Sequence, residues 1–221
     1  MEAYNKAIAI KPNYIEAHYN LGIALKGLDR LEEAELSYRQ AIALKPDYAK
    51  AHYNLANTLQ ELGGSEKAGT RYMRAIVLKP NYAEAYCNLA NTLQDLGKLE
   101  EAEASCKNAL IILSHLTEAH FNLGIILKEL NRLDDAKAQF RQVTILSPGF
   151  AEAYDHLGNI LQIFGKIEDA EGYFKKYISL STVKAPLTKS MGSRFFTKGE
   201  FQKALSLFDS YNTPDSRSLA L

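Results

Sequence analysis

The sequence predicts an all-α protein in which antiparallel helix pairs stack in series, and three observations support this prediction. Proline recurs every 34 residues, at positions 12, 46, 80 and 148, with only the step at Ser114 unfilled. Between these positions, apolar residues recur at the spacing of amphipathic helices. The composition is rich in alanine, leucine and glutamate and includes six prolines, which favours helix. A fixed period of this length is typical of a stacked array of repeats.

The first element, residues 1–14, is predicted to be a single helix. Tyr4 and Ala7 precede a proline at the same distances at which Tyr38 and Ala41 precede the next one. Since Tyr38 and Ala41 belong to the second half of the following repeat, the chain is predicted to open with the second helix of an incomplete repeat.

Residues 15–48 are the most complete copy of the repeat and are predicted to form a helix pair. The first helix should run from about residue 15 to residue 27. Asn13 is its predicted N-cap with Glu16 three residues later, and Asn81 begins the same device in a later copy. The second helix should run from about residue 31 to residue 44, where the following proline blocks continuation.

Small residues explain how this pair can close. Gly22 on the first helix and Ala34 on the second let the two backbones approach, and Tyr38 then fills the space between adjacent helices. Neither helix can bury its apolar stripe alone, so each pair depends on its neighbours.

Five further segments follow in register. Residues 49–82, 83–116, 117–150 and 151–184 align on the complete copy without insertion or deletion, and each is predicted to be another helix pair. Burial is predicted for Leu55, Ala68 and Tyr72. Residues 185–221 are predicted to be a divergent copy followed by a truncated capping helix; the residues that keep register there are Met191, Gly192, Phe195, Gly199, Ala204 and Phe208.

One set of small and large residues recurs through these copies. In the complete copy its members are Leu21, Gly22, Leu25, Ala34, Tyr38, Ala41 and Pro46. With this set the chain resembles the tetratricopeptide repeat family. The resemblance implies a right-handed superhelical solenoid of antiparallel helix pairs, whose first helices line the concave face. In style the chain is most similar to the superhelical arrays of O-linked N-acetylglucosamine transferases.

The balance of charge restricts the classes of partner. The chain has 26 basic and 26 acidic side chains and a formal net charge of zero, which argues against nucleic acid or an anionic membrane as the main partner. No apolar run approaches the roughly 20 residues that span a bilayer. Two cysteines in 221 residues favour an intracellular protein, and we predict a cytoplasmic location.

No residue pattern indicates catalysis, a cofactor or a metal, so the chain is predicted not to be an enzyme. Gly-Lys pairs at Gly97 and Gly165 lack the rest of a phosphate loop and are interpreted as turns. His18, His52 and His120 share one repeat position and are interpreted as partly buried packing residues. Cys106 replaces a core aromatic residue, whereas Cys87 is predicted to be exposed, with a regulatory role left open.

Columns of asparagine give the strongest indication of function. Four copies have Asn20, Asn54, Asn88 and Asn122 at one position, and the position one turn later has Asn57, Asn91 and Asn159. If the first helices line a concave face, as the resemblance implies, these amides form ladders that suit the N–H and C=O groups of an extended peptide. The alternative is that they bond locally between helices.

Aromatic residues adjoin this ladder. Tyr19, Tyr53 and Phe121 precede three of the asparagines and are predicted to line the groove as anchors for apolar side chains. His156 and Ser190 interrupt the ladder, so the best groove is predicted between Tyr19 and Asn122.

We therefore predict a scaffold that binds a partner protein or extended peptide on its concave face. The resemblance argues against the subfamily that clamps a chaperone carboxylate, because no copy has the required lysine beside the ladder. Two alternatives remain: the chain is the substrate-recognition region of a larger enzyme such as a glycosyltransferase, or it self-assembles through exposed terminal helices into a homo-oligomer.

Overall fold

The computed structural model describes residues 1–181, and these residues form eleven α-helices with no strand among them. The helices are α1 (Glu2–Ile10), α2 (Ile15–Lys26), α3 (Leu31–Leu44), α4 (Ala49–Glu61), α5 (Ser65–Leu78), α6 (Ala83–Asp95), α7 (Leu99–Ile112), α8 (Thr117–Glu129), α9 (Leu133–Leu146), α10 (Ala151–Ile163) and α11 (Ile167–Leu180). The predicted all-α fold is confirmed.

The chain divides into two compact units. Unit 1 spans Met1–Pro148 and includes α1 to α9, and unit 2 begins at Gly149 and includes α10 and α11. The predicted copy in residues 185–221 lies outside the described residues. The division of the sequence into 34-residue repeats remains a prediction.

Unit 1 is a stack of helix pairs. Each first helix packs along the second helix of its own pair, as α2 does on α3, and each second helix then contacts the first helix of the next pair. The first helices also contact one another directly, α2 with α4, α4 with α6 and α6 with α8. In unit 2, α10 and α11 form one pair.

The helix bounds agree closely with the sequence, but the predicted N-caps are wrong. The residues before α2 and α6 are Tyr14 and Tyr82, and neither helix has a side-chain cap. A turn explains the difference: the Tyr14 N–H donates to the Lys11 carbonyl (3.0 Å), which leaves Asn13 inside the turn. The Tyr14 carbonyl then accepts the first helical N–H bonds.

The close approach of paired helices depends on glycine facing an aromatic ring. A Cβ atom added at Gly22 would lie 2.7 Å from Tyr38, and one at Gly124 would lie 2.7 Å from Phe140. Tyr38 is 1% exposed and Ala34 is fully buried. These contacts confirm the predicted close packing, and Leu55, Ala68 and Tyr72 are buried as predicted.

Left-handed backbone marks the turns inside the pairs. Gly97 and Gly165 have φ angles of 71° and 75°, in a region that glycine adopts without steric cost. The interpretation of both Gly-Lys pairs as turns is therefore confirmed. Within residues 1–181, no helix is long and apolar enough to cross a membrane.

Candidate functional site

The predicted asparagine columns lie on the first helices of unit 1, on α2, α4, α6 and α8. All of their side chains there are half-buried. We call this surface of unit 1 the ladder face, defined by Asn20, Asn54, Asn57, Asn88, Asn91 and Asn122. Asn159 and His156 lie on α10 in unit 2, and Ser190 lies outside the described residues.

Amide groups on the ladder face connect successive helix pairs. Asn54 Nδ2 donates to the Tyr19 hydroxyl (3.0 Å), and Asn88 Nδ2 donates to the Tyr53 hydroxyl (3.1 Å). One pair later, Asn122 Nδ2 lies 3.3 Å from Cys87 Sγ. Each asparagine thus contacts the side chain 35 residues earlier in the chain. The local bonding between helices that the sequence left open is present.

A second set of hydrogen bonds surrounds Tyr72, on α5. Its hydroxyl donates to Asn57 Oδ1 (2.6 Å) and lies 3.1 Å from Gln60 Oε1. Asn57 Oδ1 also accepts from Asn88 Nδ2 (2.9 Å), and Gln60 Oε1 accepts from the Thr92 hydroxyl (3.2 Å). The network joins α4, α5 and α6 and fixes the rotamers of the amides within it.

Other groups of the ladder face keep their hydrogen-bonding capacity. Within residues 1–181, the side chains of Asn20 and Asn91 make no hydrogen bond, and none reaches Asn54 Oδ1. The side chains of Asn20 and Asn91 are half-buried, so their donors and acceptors remain available to a ligand or to water.

Aromatic rings lie beside the amides of the ladder face, and they are themselves packed. The Tyr19 ring lies 6.0 Å from Tyr38 and 4.9 Å from Tyr48, and the Tyr53 ring lies between Tyr72 and Tyr82 in the same way. Burial raises the pKa of the Tyr19 and Tyr53 hydroxyls, so both stay neutral hydrogen-bonding groups. Phe121 packs edge-on against Phe140.

The residue before each first helix has a role that sequence reasoning missed. Tyr48 and Tyr82 occupy the N-cap positions of α4 and α6, where each ring covers the tyrosine of the preceding pair. The two tyrosines lie 34 residues apart in the sequence, and this recurrence could have indicated their role.

A row of polar contacts along the same helices was also missed. Lys26 pairs with Glu61 (2.9 Å), Gln60 Nε2 lies 3.5 Å from Asp95 Oδ2, and Gln94 Nε2 donates to Glu129 Oε1 (2.6 Å). In each case a lysine or glutamine meets the acidic residue 35 positions later. The donor is half-buried and the carboxylate exposed, so the row presents carboxylates to solvent.

One open pocket interrupts the ladder face between α2 and α4. Its volume is about 390 Å³, and its lining residues are Ile23, Lys26, Gly27, Tyr38, Asn54 and Glu61. The lining combines a buried phenol, an amide, an ion pair and one apolar side chain.

The recurring histidines stabilise the connections between pairs. Nε2 of His18, His52 and His120 lies 2.8 to 3.1 Å from a carbonyl oxygen six residues earlier. His52 is buried, its Nδ1 has no partner among residues 1–181, and burial lowers its pKa. Among the described residues, no cluster of His, Cys, Asp or Glu could hold a metal ion.

The predicted exposure of Cys87 is wrong. Cys87 is 3% exposed because it packs against Ala109 and Ala119 of the neighbouring helices. Burial raises the pKa of its thiol to about 12 and also raises the pKa of Cys106. Both thiols are therefore protonated at neutral pH, and a regulatory role for Cys87 has no support from its surroundings.

Models of one repeat family match most of the described chain. A model described as TPR repeat matches residues 1–29 and 28–63, and models described as tetratricopeptide repeat match residues 49–82, 81–144 and 121–184. No curated protein matches the chain.

Solved structures of similar fold share little sequence with the chain. The crystal structure of PilW, described as a widely conserved type IV pilus biogenesis factor, is 24% identical with a TM-score of 0.78, covering 93% of this chain and 96% of PilW. YrrB, described as a TPR protein with an unusual peptide-binding site, is 24% identical with a TM-score of 0.69, covering 85% and 97%. PilF of Pseudomonas aeruginosa is 19% identical with a TM-score of 0.73, covering 90% and 93%.

Proposed function

Because this chain belongs to the tetratricopeptide repeat family, we propose that it is a protein-interaction scaffold that binds an extended segment of a partner protein on the ladder face. The observation that carries the proposal is that some asparagines of the ladder face bond to neighbouring helix pairs and others do not. Asn54 and Asn88 hold neighbouring helix pairs together, while Asn20 and Asn91 retain free amide groups beside them.

The fixed amides make the ladder face a preorganised surface. A side chain that is already held by hydrogen bonds loses little rotamer freedom when a ligand binds, and this lowers the cost of association. Packed rings flank the same positions, as Tyr53 does between Tyr72 and Tyr82. The ligand therefore meets a surface whose polar and apolar groups are in place before it arrives.

Backbone recognition suits the spacing of the ladder. Packed helices lie about 8 to 10 Å apart, and an extended chain advances about 3.3 Å per residue. The asparagine of each successive first helix would therefore lie beside roughly every third residue of a bound segment. The free amides of Asn20 and Asn91 can donate to a carbonyl and accept from an N–H, whatever the ligand's side chains.

Relatives with the same fold give support at the level of architecture. YrrB is described as having a peptide-binding site, and its identity of 24% extends only to the fold. In our proposal the chain acts by presenting a surface, performs no chemical step and needs no cofactor.

Selection from a library of linear peptides tests the proposal. Extended peptides of about twelve residues would be long enough to pass about four successive first helices. We expect selection on the full chain to yield peptides that bind it in solution. Replacing two free amides, in the double variant Asn20→Ala and Asn91→Ala, should weaken binding by roughly tenfold or more, because each amide contributes about one hydrogen bond.

The matched control is Asn108→Ala on α7, where the asparagine is exposed on a second helix. Its binding and its helicity by circular dichroism should equal those of the unmodified chain. Failure to select any binding peptide, or full affinity in the correctly folded double variant, would overturn the proposal.

A further inference from the structure

The pocket between α2 and α4 lacks the side-chain carboxamides that surround the equivalent tyrosine hydroxyl in the next helix pair. In the second pair, the Tyr72 hydroxyl is satisfied by two carboxamide oxygens, Asn57 Oδ1 at 2.6 Å and Gln60 Oε1 at 3.1 Å. Tyr38 occupies the same repeat position as Tyr72 and is equally buried, at 1% exposure. The residues that correspond to Asn57 and Gln60 are Ile23 and Lys26.

This replacement leaves the Tyr38 hydroxyl without a partner among residues 1–181. The structure has no hydrogen bond from Tyr38 to any residue in the range 1–181, and Tyr38 lines the pocket of about 390 Å³. The only buried side-chain polar atom that lacks a partner in the described residues is His52 Nδ1, so the Tyr38 hydroxyl oxygen is open to the pocket, where water or a ligand group can pair with it. Burial also raises the pKa of Tyr38, so the hydroxyl remains a neutral donor at physiological pH.

The other lining groups restrict what can fill the pocket. Lys26 Nζ is paired with Glu61 at 2.9 Å, so a ligand carboxylate would face Glu61 and a ligand ammonium would face Lys26. An apolar side chain would leave the Tyr38 hydroxyl unpaired. A carboxamide is neutral and carries both an acceptor oxygen and two donor hydrogens, which matches the hydroxyl and ammonium donors and the carboxylate and Asn54 Oδ1 acceptors.

We propose that this pocket binds the carboxamide side chain of an asparagine or glutamine in the bound segment. The ligand group takes the place that Asn57 and Gln60 fill in the second pair, with its oxygen on the Tyr38 hydroxyl. As a specificity element for an extended ligand, the inference rests on the proposed function, but the pocket itself can be tested without any peptide.

The test uses the full chain and N-acetylglutamine methylamide, a probe with one carboxamide side chain. Two matched probes differ from it only in the side chain. N-acetylglutamate methylamide has a side-chain carboxylate, and N-acetylnorleucine methylamide has an apolar side chain. Binding is followed by the chemical shifts of the Ile23 methyl groups and the Asn54 side-chain amide. A ligand of this size should bind with a Kd on the order of 1 mM, and the amide probe should bind about threefold to tenfold tighter than either matched probe.

A substitution that supplies the missing amide gives a second readout. Ile23→Asn introduces the residue that the second pair has at this position, and should weaken binding of the amide probe by about tenfold. Ile125→Asn is the matched control, because α8 pairs with Phe140, which has no hydroxyl to satisfy. Ile23 is 44% exposed, so the variant should fold, and circular dichroism would verify this.

The outcomes separate the pocket from the proposed function. Saturable shifts of the Asn54 side-chain amide that favour the amide probe and are lost in Ile23→Asn would support the inference even if no peptide is selected. Equal binding of the three probes, no binding of the amide probe, or unchanged binding to Ile23→Asn would overturn it, while peptides selected on the ladder face would still support the proposed function.

Discussion

Two tyrosines at the same repeat position give a direct measure of what the ladder-face hydrogen bonds contribute to stability. Tyr72 and Tyr38 are each 1% exposed, and Tyr→Phe removes a single oxygen from either. The Tyr72 hydroxyl donates within the network of Asn57 and Gln60, whereas the Tyr38 hydroxyl meets no partner in the described part of the chain. The two substitutions should therefore differ in cost.

The magnitude follows from counting the bonds that each substitution removes. A tyrosine hydroxyl has one hydrogen, so Tyr72→Phe removes about one net hydrogen bond even though two acceptors are close. Asn57 Oδ1 keeps its bond from Asn88 and Gln60 Oε1 keeps its bond from Thr92, so neither acceptor becomes unsatisfied. The free energy of unfolding should fall by about 1 to 1.5 kcal/mol for Tyr72→Phe and change by less than about 0.5 kcal/mol for Tyr38→Phe.

Urea denaturation followed by circular dichroism measures both values. For a chain of this length the loss at Tyr72 corresponds to a fall in Tm of roughly 2 to 6 °C. Stacked repeats can depart from two-state unfolding, so the comparison requires equal m-values in the two variants. An equal loss in both variants, or a larger loss for Tyr38→Phe, would refute the assignment of the network to Tyr72 alone.

Three further predictions concern the core of unit 1. Ala68→Leu should lower the free energy of unfolding by about 1 to 3 kcal/mol, because the fully buried alanine leaves no room for a larger side chain. Urea denaturation would measure this loss, and an unchanged midpoint would contradict the packing. Burial lowers the folded-state pKa of His52, so the unfolded state binds more protons and stability should fall as the pH is lowered below about 6.5. This part of the pH dependence should vanish in His52→Gln, as urea titrations at several pH values would reveal. Cys87 and Cys106 should both react with a thiol reagent only as fast as unit 1 opens, and rapid labelling of Cys87 in the native protein would count against its burial.

The period of the sequence was sufficient to predict which residues form each column. The recurring set of small and large residues predicts that Gly22, Tyr38 and Ala68 lie in the core, because equivalent positions of the repeat lie on the same side of their helices. The helix ends of the complete copy are predicted within a residue or two, because a proline or glycine recurs at most turns.

The offset between columns could not be predicted from the period. Asn54 meets Tyr19 rather than Asn20, so the contact joins residues 35 positions apart, and the 34-residue repeat length does not specify that displacement. The same displacement brings Lys26 to Glu61. It also determines that Cys87 faces neighbouring helices instead of solvent.

The predicted N-caps are wrong because a turn outside the helix determines which residue occupies the cap position. Asn13 is a favourable N-cap by residue type, but the turn closed by the Tyr14 N–H and the Lys11 carbonyl makes Tyr14 the N-cap residue of α2. The tyrosines at these positions are better explained by their packing on the preceding pair, as for Tyr48 on Tyr19.

Side-chain amide resonances report most directly on whether the ladder face binds an extended segment. Titration of the isotope-labelled chain with a selected peptide should produce saturable shifts of the Asn20 and Asn91 side-chain amides and leave Asn108 unchanged. Binding that saturates without moving either Asn20 or Asn91 would contradict the account, because the peptide would then occupy another surface.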